Sequence, residues 1–141
     1  MPSRILIADD YEDNRELLRL ILVTAEYEVF EARDGQECLR LAQNHLPDLV
    51  MIDLSMPKLD GWEVFQALKA DQRTRHIPCV AVTAYAEIDR KRALQTGFDA
   101  YLAKPFRSVE LLEAVSRLLS ASAMKSNVSE PGLPGKEQQN S

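Results

Sequence analysis

Asp9-Asp10, Asp53, Thr83 and Lys104 each close a short apolar run: Ile5-Leu6-Ile7-Ala8, Leu49-Val50-Met51-Ile52, Cys79-Val80-Ala81-Val82 and Ala100-Tyr101-Leu102-Ala103. Alone, each has an ordinary explanation. Asp9-Asp10 is a turn or capping pair, Asp53 a strand-ending acid that starts a turn, Thr83 a strand hydroxyl, and Lys104 a surface lysine. Gathered at one edge they can do chemistry. Crowded carboxylates repel by about 4 kcal/mol per pair near 4 Å at an effective dielectric of ~20. Lys104 or a divalent cation must relieve this, and oxygen ligands that leave room for water suit Mg2+. Carboxylates, a hard cation, an ammonium and a hydroxyl together suit a phosphoryl group, whose oxygens need neutralising. A carboxylate can accept that group covalently, and Asp53, at the end of the middle run, is the best-placed nucleophile.

The elements that must position these residues follow from periodicity. The apolar runs read as strands, and continuous burial suits a parallel sheet. Glu28-Val29-Phe30-Glu31-Ala32 alternates and is expected as an edge strand. Leu17, Leu18, Ile21, Leu22 and Ala25 recur at helical spacing over Asn14–Ala25. Asp34 with Glu37 three positions on is a capping-box pattern that opens a helix to about Asn44, and Pro47 breaks it. Pro57 to Gly61 is expected as a loop, and Trp62, Phe65, Ala67 and Leu68 place a helix to about Ala70. Asp71 to Pro78 is polar and irregular. A helix from about Glu87 to Thr96 stops at Gly97 as a C′ glycine. Ser108 can cap a last helix carrying Leu111, Leu112, Val115, Leu118 and Leu119. Strand and helix alternate five times, which implies an α/β, doubly wound, five-stranded parallel sheet with right-handed crossovers. In such sheets ligands bind outside the carboxyl ends of the strands, where the chemistry-bearing residues fall.

The chain has 141 residues, 45 % apolar, with a net charge of −5. That favours one domain with a real core and argues against a basic nucleic-acid surface. We expect residues 1–121 to form the domain. Residues 122–141, rich in Ser, Pro, Gly, Gln and Asn, are expected to form a disordered tail. No apolar run reaches about 18 residues, so no membrane span is expected, and Asp9-Asp10 comes too early for a signal peptide. Cys38 and Cys79 lie in apolar patterns without metal-ligand spacing, as buried thiols of a cytoplasmic protein would.

These residues resemble the response-regulator receiver domain of two-component signalling, of the stand-alone type. The resemblance spans roughly Arg4 to Leu119. It rests on Asp9-Asp10, Asp53 followed by Met56-Pro57, Asp60-Gly61, Thr83-Ala84 and Lys104-Pro105-Phe106. It implies a flavodoxin-like strand order 2-1-3-4-5. It implies that Asp53 takes a phosphoryl group from the phosphohistidine of a sensor histidine kinase or histidine phosphotransfer protein. Asp10, Asp53 and the backbone carbonyl of Ser55 would bind Mg2+ directly, with Asp9 helping through water. Thr83 and Lys104 would bind the phosphoryl oxygens. Thr83 and Tyr101 would be switch residues that reshape the face made by the fourth helix, fifth strand and fifth helix, where a downstream protein docks. The Lys104-Pro105 bond is typically cis in this family. Whether phosphorylation drives homodimerisation stays open. Ser55 and Tyr85 should border the phosphoryl group, and Tyr85 could shield it from water.

Other functions fit less well. An aspartyl-phosphate phosphatase generally needs a second acid two residues after the nucleophile, where this chain has Ser55. A flavin protein of this topology would need a Ser/Thr/Gly-rich phosphate loop where Asp9-Asp10-Tyr11-Glu12 stands. A receiver that has lost phosphate acceptance is disfavoured because every acidic and basic position is present. Nothing after Ala121 could form a DNA-binding domain. We therefore expect no enzyme in the usual sense, but a regulator that assists its own phosphorylation and dephosphorylation. Trp62, Phe65 and Phe98 are expected to pack, and His45 and His76 to lie on the surface away from the cleft. The Arg90-Lys91-Arg92 run is expected as a solvated helix face open to a partner.

Overall fold

The computed structural model describes residues 2–56 and 59–129. The strands are β1 (Arg4–Ala8), β2 (Glu28–Ala32), β3 (Leu49–Asp53), β4 (Cys79–Thr83) and β5 (Ala100–Ala103). The helices are α1 (Glu12–Thr24), α2 (Gly35–His45), α3 (Gly61–Ala70), α4 (Ala86–Thr96) and α5 (Ser108–Ser129). All strand pairs are parallel, and the order is β2-β1-β3-β4-β5. This is the expected five-stranded, flavodoxin-like sheet with β2 at an edge.

Alternation along the strands splits the core in two. Leu6, Ala8, Val50, Ile52, Cys79 and Ala81 pack with Cys38 and Ala42 of α2, Val64, Phe65 and Leu68 of α3, and Ala93 of α4. Their neighbours Ile5, Ile7, Leu49, Met51, Val80, Val82 and Leu102 pack on the other face with Leu18 and Leu22 of α1 and Leu111 and Val115 of α5. The central strands β3 and β4 are buried at every position, as a sheet covered on both faces requires.

Local chemistry fixes the helix ends. Asp60 accepts the Glu63 N–H at 2.9 Å and the Glu63 carboxylate accepts the Asp60 N–H at 3.0 Å, a complete capping box. At α2 only half of the expected box forms. Asp34 accepts the Glu37 N–H, but Glu37 Oε1 accepts from the Arg33 N–H at 2.7 Å, one residue too early. Gly97 terminates α4 at φ 118°. Leu46 closes α2 in the left-handed region, just before Pro47.

The Arg90-Lys91-Arg92 run is exposed, as expected of a solvated helix face, and two of its side chains also cover aromatic rings. Arg90 lies over the Tyr101 ring at 5.7 Å and Arg92 over Trp62 at 4.0 Å. Two expectations need correction. Leu17 is not on the buried stripe of α1: it is 54 % exposed, and Arg15 takes that place at 8 %. Second, α5 does not stop near Ala121 but runs through residues 122–129, the start of the expected tail. Ala123, Met124 and Lys125 are good helix formers, and the first breaker is Pro131. Pro57, part of the expected Met56-Pro57 turn, and residues 130–141 lie outside the described residues. Among the described residues, no helix is long and apolar enough to cross a membrane.

Candidate functional site

Sheet register brings the strand ends together. Ala8 pairs with Ile52, so Asp9 and Asp53 leave the sheet at the same level. Asp53 pairs with Val82, and Thr83 with Ala103, so Thr83 and Lys104 follow one step further on. Asp9, Asp53 and Lys104 continue the strand positions that face α1 and α5, whereas Thr83 continues those that face α3 and α4.

The two buried carboxylates are held alike. Asp9 is 2 % exposed and Asp53 5 %. Asp9 Oδ1 accepts the Tyr11 N–H at 2.9 Å, and Asp53 Oδ1 accepts the Ser55 N–H at 3.0 Å. Each therefore uses one oxygen to fix its own loop in an Asx-type turn. The other oxygen of each lies 3.3 Å from Lys104 Nζ. Lys104 is a clamp across the two acids, and its side chain is 24 % exposed. Burial pushes the Asp9 carboxyl up, the Tyr11 N–H pulls it back, and the charge of Asp53 raises it again, so its pKa lies above the usual carboxylate value. For Lys104, burial works downward, but the charges of Asp53 and Asp9 outweigh it and the net direction is up.

Asp10 is exposed at the rim. One carboxylate oxygen from each of Asp9, Asp10 and Asp53 lies within 4.8 Å of the others. Three acids face one ammonium there, so the donor set is hard, oxygen-only and still net negative. That fits a hydrated divalent cation such as Mg2+. Beside it runs a groove of about 400 Å³ lined by Asp9, Asn14, Leu17, Lys104 and Phe106 among others.

Thr83 is fully buried, and its Oγ1 donates to Asp89 Oδ2 at 2.8 Å. Tyr101 is half-buried beneath Arg90. Tyr85 is 59 % exposed, and its backbone N–H donates to Thr83 Oγ1 at 2.9 Å. The Lys104-Pro105 bond is cis. His45 stacks on Phe30 at 4.7 Å and His76 is exposed in a turn, both outside the cleft. Trp62, Phe65 and Phe98 pack on one another.

Two residues were not anticipated from the sequence. The Arg15 guanidinium donates to the Asp9 backbone oxygen at 2.8 Å and to Glu31 at 3.3 Å. Its spacing three and seven residues before Leu18 and Leu22 marks it as facing the sheet. Asp89 lies near the amino end of α4, where an acid is well placed to bond a nearby hydroxyl, and it accepts from Thr83 Oγ1.

A sequence profile of the response regulator receiver domain matches residues 5–116. The polar-differentiation response regulator DivK of Brucella anthropi is 39 % identical over 120 residues, covering 84 % of this chain and 98 % of that protein. The crystal structure of the receiver domain of a sensor histidine kinase from Pseudomonas aeruginosa, with a magnesium ion coordinated in its active-site cleft, aligns with TM-score 0.80 at 31 % identity. It covers 85 % of this chain and 99 % of that one. A CheY-like response regulator receiver domain protein from Methanospirillum hungatei aligns with TM-score 0.82 at 28 % identity, over 89 % of this chain and 99 % of its own. With five parallel strands in the order 2-1-3-4-5 and an acidic cleft at their carboxyl ends, the chain belongs to the response regulator receiver domain family.

Proposed function

We propose that Asp53 accepts a phosphoryl group from the phosphohistidine of a sensor histidine kinase or histidine phosphotransfer protein. The Asp53 carboxylate attacks phosphorus, the P–N bond breaks, the acyl phosphate forms, and the released imidazole takes up a proton. The observation that carries this reading is the placement of Asp53 Oδ2 at 3.3 Å from Lys104 Nζ, within a carboxylate cluster shared with Asp9 and Asp10. Lys104 orients the nucleophile before transfer and faces the new phosphoryl oxygens after it. Asp9, Asp10, Asp53 and the carbonyl of Ser55 would hold Mg2+, which supplies charge neutralisation for the phosphoryl oxygens. The protein is a phosphorylation-controlled signalling module.

The output is a change of binding surface. Thr83 and Tyr101 are the switch residues, and α4, β5 and α5 present the face for a downstream protein. That face exposes Ile88 (76 %), Leu94 (48 %) and Val109 (59 %), apolar side chains a partner can cover. The domain assists its own phosphorylation and dephosphorylation by positioning and charge rather than by turning over external substrates.

Incubation with Mg2+ and acetyl phosphate, followed by intact mass measurement, tests the central claim. One added phosphoryl group is expected, lost in Asp53→Asn and on chelation of the metal. An unchanged mass, or an Asp53→Asn variant that still gains the group, would overturn it.

A further inference from the structure

The hydroxyl of Thr83 is already committed. A threonine hydroxyl has one hydrogen to give. Here it goes to Asp89 Oδ2 at 2.8 Å, while a lone pair accepts the Tyr85 N–H at 2.9 Å. Thr83 continues the strand positions of Cys79 and Ala81, toward α3 and α4, whereas Asp53 and Lys104 continue those that face α1 and α5. A bond from a hydroxyl to a carboxylate is charge-assisted and stronger than a neutral one.

We propose that Asp89 is a positioning residue that latches Thr83 in the resting state and sets how readily the phosphorylated state forms. This rests on the reading of Asp53 as phosphoacceptor. A phosphoryl oxygen on Asp53 can receive the Thr83 hydrogen only if Asp89 gives it up. The switch is therefore an exchange of acceptors, and the latch lowers the apparent affinity for the phosphoryl group. Asp89 sits in the first turn of α4, where its own N–H bonds the Tyr85 carbonyl at 2.9 Å. The amino end of a helix favours a carboxylate, so the acceptor is held in place. The next residue, Arg90, covers the Tyr101 ring at 5.7 Å. Neighbouring residues of one helical turn thus hold both switch side chains, and releasing Thr83 loosens the turn that covers Tyr101.

The test is the affinity of the full chain for beryllium fluoride, a phosphoryl mimic, with Mg2+. It is measured by calorimetry on the wild type, Asp89→Ala, Thr83→Ala and the double variant. Asp89→Ala should bind roughly tenfold tighter, the scale of one competing charge-assisted hydrogen bond. Asp89→Asn, which keeps the shape but not the charge, should gain less. In the Thr83→Ala background, Asp89→Ala should change nothing. Tyr101 ring resonances of metal-free Asp89→Ala should move toward their positions in the fluoroberyllate complex. Unchanged or weaker binding by both Asp89 variants, or an equal gain without Thr83, would overturn the latch alone. A wild type that takes up no fluoroberyllate overturns the phosphoacceptor reading as well.

Discussion

Gly61 leaves no room for a side chain beside Asp53: a Cβ there would come within 2.6 Å of the Asp53 carbonyl oxygen. It would meet Leu54 Cα at the same distance, so backbone, which cannot rotate away, blocks it on two sides. Gly61 is the first residue of α3, directly after the Asp60 cap, and the helix start is pressed onto the end of β3 where Asp53 leaves the sheet. Gly61→Ala should therefore cost about 1–3 kcal/mol, the range for overpacking a tight site. Urea unfolding measures that loss, and Mg2+ affinity should weaken in parallel as α3 shifts away. A variant as stable as the wild type would show that the helix can move freely there.

Lys104 Nζ lies 3.3 Å from each of the two carboxylates proposed to hold the metal, so it should compete with the ion for them. Lys104→Met should bind Mg2+ more tightly, because the repelling ammonium is gone and the acids are freed. The metal-free protein should lose stability by about 1–3 kcal/mol, less than the value for a fully buried pair because the lysine is partly solvated. Burial alone would lower the Lys104 pKa, but Asp53 and Asp9 raise it overall. A raised lysine keeps its proton more firmly folded than unfolded. Its contribution is therefore complete at neutral pH and fades only above the ordinary lysine range of about 10.4. Calorimetric titration with Mg2+ and denaturant unfolding, each at pH 7 and above 10, separate the two effects. Weaker metal binding by the variant would contradict the competition.

Asp9 gives the site an acid dependence of a definite sign. Burial raises its carboxyl above the usual value, with Asp53 adding to the rise. Metal binding needs the ionised acid, so Mg2+ affinity should begin to fall at a pH above the ordinary aspartate value of about 3.9. Without metal the sign reverses. The folded state holds the Asp9 proton more tightly than the unfolded chain does. Asp9 thus destabilises the metal-free fold at neutral pH, and that cost is relieved as pH falls through its raised value. Asp9→Asn should unfold at higher urea than wild type at pH 7 without metal, yet bind Mg2+ more weakly. Such a trade of stability for function is common at built sites. Equal stability of the two proteins would show that the repulsion is already relaxed.

Asp9, Asp53, Thr83 and Lys104 were legible because continuous apolar runs mark buried parallel strands, and a parallel sheet brings their carboxyl ends to one edge. The strand limits follow the same signal, since β3 and β4 are apolar or small up to the Asp53 and Thr83 that end them. Legibility failed where a polar side chain does a structural task. The apolar spacing put Leu17 on the inner face of α1, but the position goes to Arg15, whose charge is matched by the Asp9 carbonyl and Glu31. Hydropathy cannot see a cation whose partners lie across the sheet. The Glu37 carboxylate went to Arg33 because two donors compete for it and spacing alone does not rank them. The length of α5 is hidden in the sequence because the Ser, Pro, Gly, Gln and Asn content of residues 122–141 reads as a tail, although the segment holds no proline before Pro131.

Arg15 supplies the most stringent check on how the proposed metal ligands are held. It is 8 % exposed, and its guanidinium bonds the Asp9 carbonyl at 2.8 Å and Glu31 Oε1 at 3.3 Å. It therefore ties the end of β1 to the edge strand β2, directly behind the carboxylate that faces Lys104. Removing the fork leaves the Asp9 carbonyl unpaired, while Glu31 keeps Arg19 at 3.3 Å. Arg15→Met preserves the buried stem, so the loss is that of the charged hydrogen bonds, about 1.5–3 kcal/mol. Arg15→Lys cannot bridge both partners with one ammonium and should recover only part of it. If Arg15 acts by positioning Asp9, the Mg2+ affinity of Arg15→Met should drop several-fold even where urea unfolding shows the protein fully folded. In an Asp9→Asn background the same substitution should leave the residual metal affinity unchanged. An equal loss of affinity in both backgrounds would mean that Arg15 supports the fold at large rather than the ligand.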